Sequence, residues 1–168
     1  MPNLFATDRQ TALQSRLSDY LDAEIYPHEA EWLQMPFEDV APILRSKRED
    51  IREIGAWNLY LSPEHGGPGL DLTEVAQIGE LLGRTPFGHF LCNCQAPDAG
   101  NVELLDAYLT PDLHDRYFQP LLDGEVRSCF AMTEPALAGS NPTRMGTTAR
   151  REGDDYVING RKWFTTAA

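Results

Sequence analysis

The sequence predicts a mainly α protein: an all-helical amino-terminal domain followed by the first strands of an antiparallel β domain that is cut short. Three observations carry this expectation. Apolar residues recur at three- and four-residue spacing through most of residues 1–125. The pattern then gives way to short runs that alternate as strands do. The chain also stops inside such a run, at Thr165-Thr166-Ala167-Ala168, before enough strands have appeared to close a core.

The elements follow in order. From Phe5 to Glu31, the residues Leu13, Leu17, Tyr20, Leu21 and Ile25 mark one face of a helix, which Pro27 is expected to bend or stop. A second helical pattern runs from Pro36 to Trp57 with Val40, Leu44, Ile51 and Ile54 inward, and its charged middle, Arg45 to Arg52, reads as a solvated face. Asn58 to Leu61 reads as a short extended piece, and Ser62 to Gly69, rich in glycine and proline, as irregular. Asp71 is a good N-cap and Glu74 completes a capping-box pattern, after which Val75, Ile78, Leu81 and Leu82 line a helix ending near Gly83. A helix is expected over Ala96 to Leu109. Another opens with Thr110 as cap and Pro111 at the first helical position, and runs through Leu113, Tyr117 and Leu121 to Gly124.

Beyond that point the pattern predicts strands at Val126 to Met132, Arg144 to Arg151, Tyr156 to Asn159 and Arg161 to Thr166, with Asn159-Gly160 as a tight-turn signal. The expected division is a helical domain over residues 1–125 and an incomplete, barrel-like β domain over residues 126–168. So few strands leave exposed edges and half a core, so the β domain is expected to be truncated or completed by another chain.

Composition narrows the function. The 168 residues are 42% hydrophobic and 24% charged, consistent with a packed core. The net charge of −12 argues against a nucleic-acid partner. It leaves room for a nucleotide ligand held by backbone amides. No apolar run is long enough to span a bilayer, and Met1 to Gln10 does not read as a secretory signal. Cys92, Cys94 and Cys129 are odd in number and lack a second ligand pair for zinc, so they read as buried free thiols and no metal is expected. The cytoplasm or an organelle matrix is the expected compartment. Trp32, Trp57 and Trp163 read as core, His65 as a turn residue, and His28, His89 and His114 have no evident partners.

One segment has the character of a ligand loop. Cys129-Phe130-Ala131-Met132-Thr133-Glu134-Pro135-Ala136-Leu137-Ala138-Gly139-Ser140-Asn141 combines a strand-like run, a stiffening proline, small residues and hydroxyls. Small residues let a flat ligand approach the backbone, and the Thr133 and Ser140 hydroxyls can bond a polar ring edge or a phosphate. Taken by itself, an ordinary strand-to-loop junction explains the same residues at least as well.

The segment resembles the flavin-binding signature of acyl-CoA dehydrogenases, in which Thr-Glu-Pro is followed by two residues and Gly-Ser-Asp. Two further stretches resemble that family: Pro63-Glu64-His65-Gly66-Gly67-Pro68-Gly69-Leu70 with Glu80-Leu81-Leu82-Gly83-Arg84, and Gly153-Asp154-Asp155-Tyr156-Val157-Ile158-Asn159-Gly160-Arg161-Lys162-Trp163. The similarity covers nearly the whole chain. Asn93-Cys94-Gln95-Ala96-Pro97-Asp98-Ala99-Gly100-Asn101 and the spacing after Pro135 resemble the branch of vertebrate family members ten and eleven, which is similar to enzymes for longer or 4-hydroxylated acyl-CoAs. Asn141 stands where the family has Asp, and the loop carries one extra residue.

The resemblance implies FAD as cofactor and α,β-dehydrogenation of an acyl-CoA thioester. It implies Phe130, Met132 and Thr133 along the flavin, with Thr133 bonded to the isoalloxazine. Ser140 would face the acyl-CoA and the flavin phosphates. Phe164, Thr165 and Thr166 match the usual Trp-Ile-Thr beside the flavin. Cys94 and Gln95 would lie near the acyl pocket. No catalytic residue is expected in this chain: Glu134 is a structural residue of the loop, and the family's base comes from a later helical domain. The implied partners are an electron-transfer flavoprotein or similar acceptor, and a second copy or partner subunit. The fragment alone is expected to be inactive and to bind FAD weakly or not at all. A non-catalytic assembly module, or a same-fold acyl-CoA oxidase or flavin oxygenase, are the alternatives.

Overall fold

The computed structural model describes residues 5–139 and 141–168, and its architecture is helices first and a β-hairpin last. Helix α1 (Asp8–Glu24) is capped by Thr7, whose hydroxyl accepts from the Gln10 amide at 3.1 Å. Leu13, Leu17 and Leu21, spaced four apart, are buried on its inner side with Ile25 just beyond. The helix breaks at Ile25, ahead of Pro27, as the proline leads one to expect, and Pro27 sits in the first turn of a new helix, α2 (Tyr26–Trp32), where its missing N–H costs nothing.

The single helix expected over residues 36–57 is two: α3 (Phe37–Ser46) and α4 (Arg48–Ile54), parted at Lys47 and closed by Gly55 in the left-handed conformation. The charged middle is not wholly solvated, because Arg48 is 4% exposed. Asn58 to Leu61 is turn rather than extended chain, and Pro63–His65 forms one 3-10 turn within the glycine-rich stretch. Helix α5 (Leu72–Leu82) carries the expected capping box between Asp71 and Glu74. A one-turn helix, α6 (Gly88–Leu91), is too short to show periodicity and was not expected. Helix α7 (Asp98–Tyr108) is followed by α8 (Pro111–Leu113), a π-helical turn (His114–Phe118) and α9 (Gln119–Leu122). Thr110 precedes α8 but makes no side-chain cap bond.

Leu17, Leu21, Ile25, Leu44, Ile51, Ile78 and Leu91 are among the fully buried side chains of the main apolar cluster. Each such burial contributes about 1.5–3 kcal/mol. A second cluster joins Leu61, Val102, Phe118, Leu121 and Leu122.

Polar ties hold the end of the helical part. The carbonyl of Leu122 accepts from Trp57 Nε1 at 3.2 Å, Asn58 Nδ2 at 3.0 Å and Asn93 Nδ2 at 3.3 Å. Asn58 and Asn93 both have positive φ, a conformation asparagine tolerates better than most residues, and Asn93 Nδ2 also donates to Asn58 Oδ1 at 2.8 Å. These side chains satisfy a carbonyl that α9 itself leaves without a partner.

The β part is a hairpin of β1 (Thr148–Glu152) and β2 (Asp155–Asn159), paired antiparallel with Glu152 opposite Asp155. Its two-residue turn is Gly153-Asp154, and the positive φ falls on Gly153, the position where a type II′ turn needs glycine. Asn159-Gly160 is therefore not the turn; Gly160 ends β2 and lies where a Cβ would collide with the Thr147 side chain. The strands expected at Val126 to Met132 and Arg161 to Thr166 do not form, because neither run finds a pairing edge beyond single bonds. Trp163 is 44% exposed rather than core. Among the described residues, no helix is long and apolar enough to cross a membrane.

Candidate functional site

The carboxylate of Glu134 organises the loop. It is 6% exposed, accepts from the backbone amides of Gly146 at 2.6 Å and Thr147 at 2.9 Å, and takes Lys162 Nζ at 2.8 Å. The ammonium of Lys162 and those amides hold the Glu134 carboxyl down at about 2. A carboxylate so strongly stabilised, with both oxygens already engaged, is a poor general base.

The same contacts join the two segments that carry the candidate flavin residues. Lys162 Nζ also donates to the Met132 carbonyl at 2.9 Å, and the Trp163 amide donates to the Thr133 carbonyl at 3.1 Å. Met132 and Thr133 are thus brought beside Lys162, Trp163 and the following Phe164. The Thr133 methyl packs where Gly139 has no side chain, and a Cβ there would come within 2.5 Å of it. The Thr133 hydroxyl has no hydrogen-bond partner among the described residues and is left free to donate. Phe164 is 82% exposed with its ring 4.8 Å from that of Trp163, and its φ is positive. Thr165 is half-buried and Thr166 exposed. Ser140 lies outside the described residues.

Phe130 stands apart from this group. It is half-exposed and lines a shallow cavity of about 440 Å³ with Pro97, Gly100, Asn101 and Leu104 on the face of α7. Its segment is fixed to α7 through Asp98, whose carboxylate accepts from the Ser128 amide at 2.7 Å, Ser128 Oγ at 2.6 Å and Arg127 Nε at 2.5 Å. Gln95, expected at the acyl pocket, donates its side-chain amide to Asp98 and belongs to this tie. Cys94 lines a separate apolar cavity of about 250 Å³ beside Tyr60, Gly79, Leu82 and His89, and burial pushes its thiol up to about 12. Cys92 is fully buried in the core, whereas Cys129 is exposed and is not the buried thiol expected. Three of the four histidines have aromatic or acidic neighbours: His28 stacks on Trp32, His114 lies against Phe118, and His65 Nε2 is 3.2 Å from Asp106.

Sequence reasoning missed Lys162 and Asp98 as organising residues. Capping and turn signals do not mark a lysine whose partners lie about thirty residues away. Among the described residues, no group of three or more histidine, cysteine, aspartate or glutamate side chains could hold a metal ion.

A helical domain thus leads into a glycine-bearing loop and a β-hairpin, and comparison with known proteins gives this layout a family. Residues 7–125 match the acyl-CoA dehydrogenase N-terminal domain and residues 129–168 the acyl-CoA dehydrogenase middle domain. The chain belongs to the acyl-CoA dehydrogenase family. It is 39% identical over 162 residues to "Probable acyl-CoA dehydrogenase FadE2" of Mycobacterium tuberculosis, covering 92% of this chain and 39% of that protein. It is 36% identical over 163 residues to acyl-CoA dehydrogenase family member 10 of Mus musculus, covering 92% of this chain and 15% of that one. A solved Mycobacterium abscessus structure, "putative acyl-CoA dehydrogenase", superposes with a TM-score of 0.86 at 38% identity, over 95% of this chain and 42% of that one. A glutaryl-CoA dehydrogenase from Mycobacterium smegmatis in complex with FADH2 shares the fold, with a TM-score of 0.70 at 20% identity. The chain therefore spans less than half the length of these relatives.

Proposed function

We propose that this chain forms one wall of the flavin site, and part of the acyl pocket, of an FAD-dependent enzyme that dehydrogenates acyl-CoA thioesters between the α and β carbons. The observation that carries the reading is the Thr133 hydroxyl, which has no hydrogen-bond partner among the described residues and stands on a backbone bonded to Lys162 and Trp163, with the exposed Phe164 next in the chain. These residues fit one edge and one face of an isoalloxazine: a donor for the polar edge, an aromatic surface, and a glycine, Gly139, that leaves room for the Thr133 side chain. FAD, when bound, would accept the hydride from the β carbon. Met132, Thr133, Phe164, Thr165, Thr166 and Ser140 would hold it, with Phe130 toward the acyl side. Ser140 and Cys94 would contact substrate; Gln95 would act through Asp98.

The base that removes the α proton would come from polypeptide outside this chain, since the carboxylate nearest the site, Glu134, is fully engaged. Residues 1–125 and 126–168 would be two domains, in keeping with the two family matches. An electron-transfer flavoprotein or a similar acceptor would reoxidise the flavin, in fatty-acid oxidation within the cytoplasm or an organelle matrix. The test is a titration with FAD of this chain together with the polypeptide that supplies the base, read as quenching of flavin fluorescence, followed by acyl-CoA-dependent bleaching of the visible band. Thr133→Ala should weaken FAD about tenfold, the value of one lost hydrogen bond to a bound group. Turnover of acyl-CoA by the 168-residue chain alone, with an artificial electron acceptor, would show that the base is not elsewhere.

A further inference from the structure

We propose that Lys162 is a positioning residue for the cofactor, acting with Glu134 to hold the Met132–Thr133 backbone so that the Thr133 hydroxyl is presented; this rests on the flavin reading above. The geometry is specific. Lys162 Nζ reaches the carbonyl of Met132 at 2.9 Å and the carboxylate of Glu134 at 2.8 Å, one residue to each side of Thr133. The amide of Trp163, next in the chain, takes the carbonyl of Thr133 itself at 3.1 Å. Three consecutive residues are thereby tied to two consecutive residues of another segment, while the side chain between them, that of Thr133, has no hydrogen-bond partner among the described residues.

An ammonium has three protons to donate. Two go to Met132 and Glu134, and the sulfur of Met145 lies 3.6 Å away. The Lys162 side chain is 21% exposed and that of Glu134 8%, so this is not a solvated surface pair. Such a pair is costly to break from one side, because the remaining charge is left buried and unpaired. Glu134 also takes the Gly146 and Thr147 amides, so the pair links the loop to the approach of β1. A lysine that merely braced the hairpin would not need to bond the Met132 carbonyl as well.

The experiment uses the full-length protein, its Lys162→Met and Lys162→Gln variants, and Lys162→Arg as the conservative replacement. Amide hydrogen exchange is measured without FAD, and FAD affinity and the flavin visible spectrum after loading. In Lys162→Met the Trp163 amide should exchange about tenfold faster or more, because its local opening becomes easier. FAD affinity should fall about tenfold, and the visible band should shift with the altered hydrogen bonding at the ring. Lys162→Arg, able to reach both oxygens, should recover most of each change. Should Lys162→Met fail to fold, Lys162→Gln, with fewer protons to donate, should show the same losses in part. Unaltered Trp163 exchange in the variants would overturn the tie. Faster exchange with unchanged FAD affinity and spectrum would reduce Lys162 to a structural brace and overturn the positioning role. Absence of FAD binding by the unmutated protein would instead sink the flavin reading, with the exchange data still reporting on the tie.

Discussion

The guanidinium of Arg48 donates to the carbonyl of Gly124 at 2.7 Å across 76 positions of sequence, and to the carbonyl of Phe90 at 2.9 Å. No carboxylate among the described residues bonds it; instead it lies over the rings of Phe90 and Trp57. Burial, followed by the nearby Arg45 and Arg52, pushes its ionisation down to about 10, so it remains a cation at neutral pH. Arg48→Met would strand the buried Gly124 carbonyl and leave that of Phe90 with the Asn93 amide alone, and is expected to destabilise by about 1–4 kcal/mol. Arg48→Lys, which lacks the planar fork, should cost less, about 1–3 kcal/mol. Urea unfolding midpoints measure both.

Gly124→Ala attacks the same joint from the other side. The residue has a φ of 70°, and a Cβ would lie 2.7 Å from Arg48 Nη1 and 2.8 Å from the Trp57 ring. The strained backbone and the collision together should cost about 1–4 kcal/mol. A midpoint equal to that of the unmutated protein would contradict the packing described.

Acid should loosen two places at once. The Glu74 carboxyl is held at about 2 by Arg9, Thr7 and the Asp71 amide, and Glu134 at about 2 by Lys162 and its amide donors, each from a usual 4.5. A depressed carboxyl stabilises the folded state above its unfolded value, and that contribution disappears as pH falls from about 4.5 to about 2. Thermal unfolding followed over this interval should show a decline that is shallower in Glu74→Gln, with about one fewer proton taken up on unfolding.

Thiol chemistry should single out one cysteine. Cys129 is exposed, Cys92 is buried with its thiol pushed up by desolvation, and Cys94 is pushed up to about 12 for the same reason. Iodoacetamide at mildly alkaline pH should label Cys129 well before the others, as mass spectrometry of peptides would record. Asp98→Asn should speed that labelling further, because Asp98 anchors Ser128, and Asn101 Nδ2, which bonds Ser128 Oγ at 2.8 Å, also holds the Cys129 carbonyl at 3.2 Å.

The helical half was readable because its signals are local. The four-residue recurrence of Leu13, Leu17 and Leu21 and the Asp71–Glu74 box each depend on residues within a turn or two. The break at Lys47, the one-turn α6 and the π-helical turn at His114–Phe118 escaped notice because tertiary packing, not periodicity, sets them. The β expectations failed where strand-like residues had no edge to pair with: Val126 to Met132 is held by Asp98 and Lys162 instead. At the candidate site the loop is marked by its resemblance to the Thr-Glu-Pro signature, since its small residues and hydroxyls alone fit an ordinary strand-to-loop junction equally well. Its fastening was not, since Glu134 and Lys162 meet only after the chain has gone out through the hairpin and returned.

The hydroxyl of Thr7 serves two helices. It accepts the Gln10 amide at the head of α1 and donates to Glu74 at 2.6 Å, and Glu74 in turn closes the head of α5 through the Asp71 amide at 2.9 Å. Apolar helix faces tolerate sliding past one another by part of a turn, because one leucine contact replaces another. A threonine oxygen and a carboxylate do not, and so the axial alignment of α1 against α5 is indexed at Glu74, with Gln77 Nε2 on the Phe5 carbonyl as a second tie one turn further along α5. Inserting one residue between Thr7 and Gln10, or between Asp71 and Glu74, would uncouple that index even though every leucine in both helices remained.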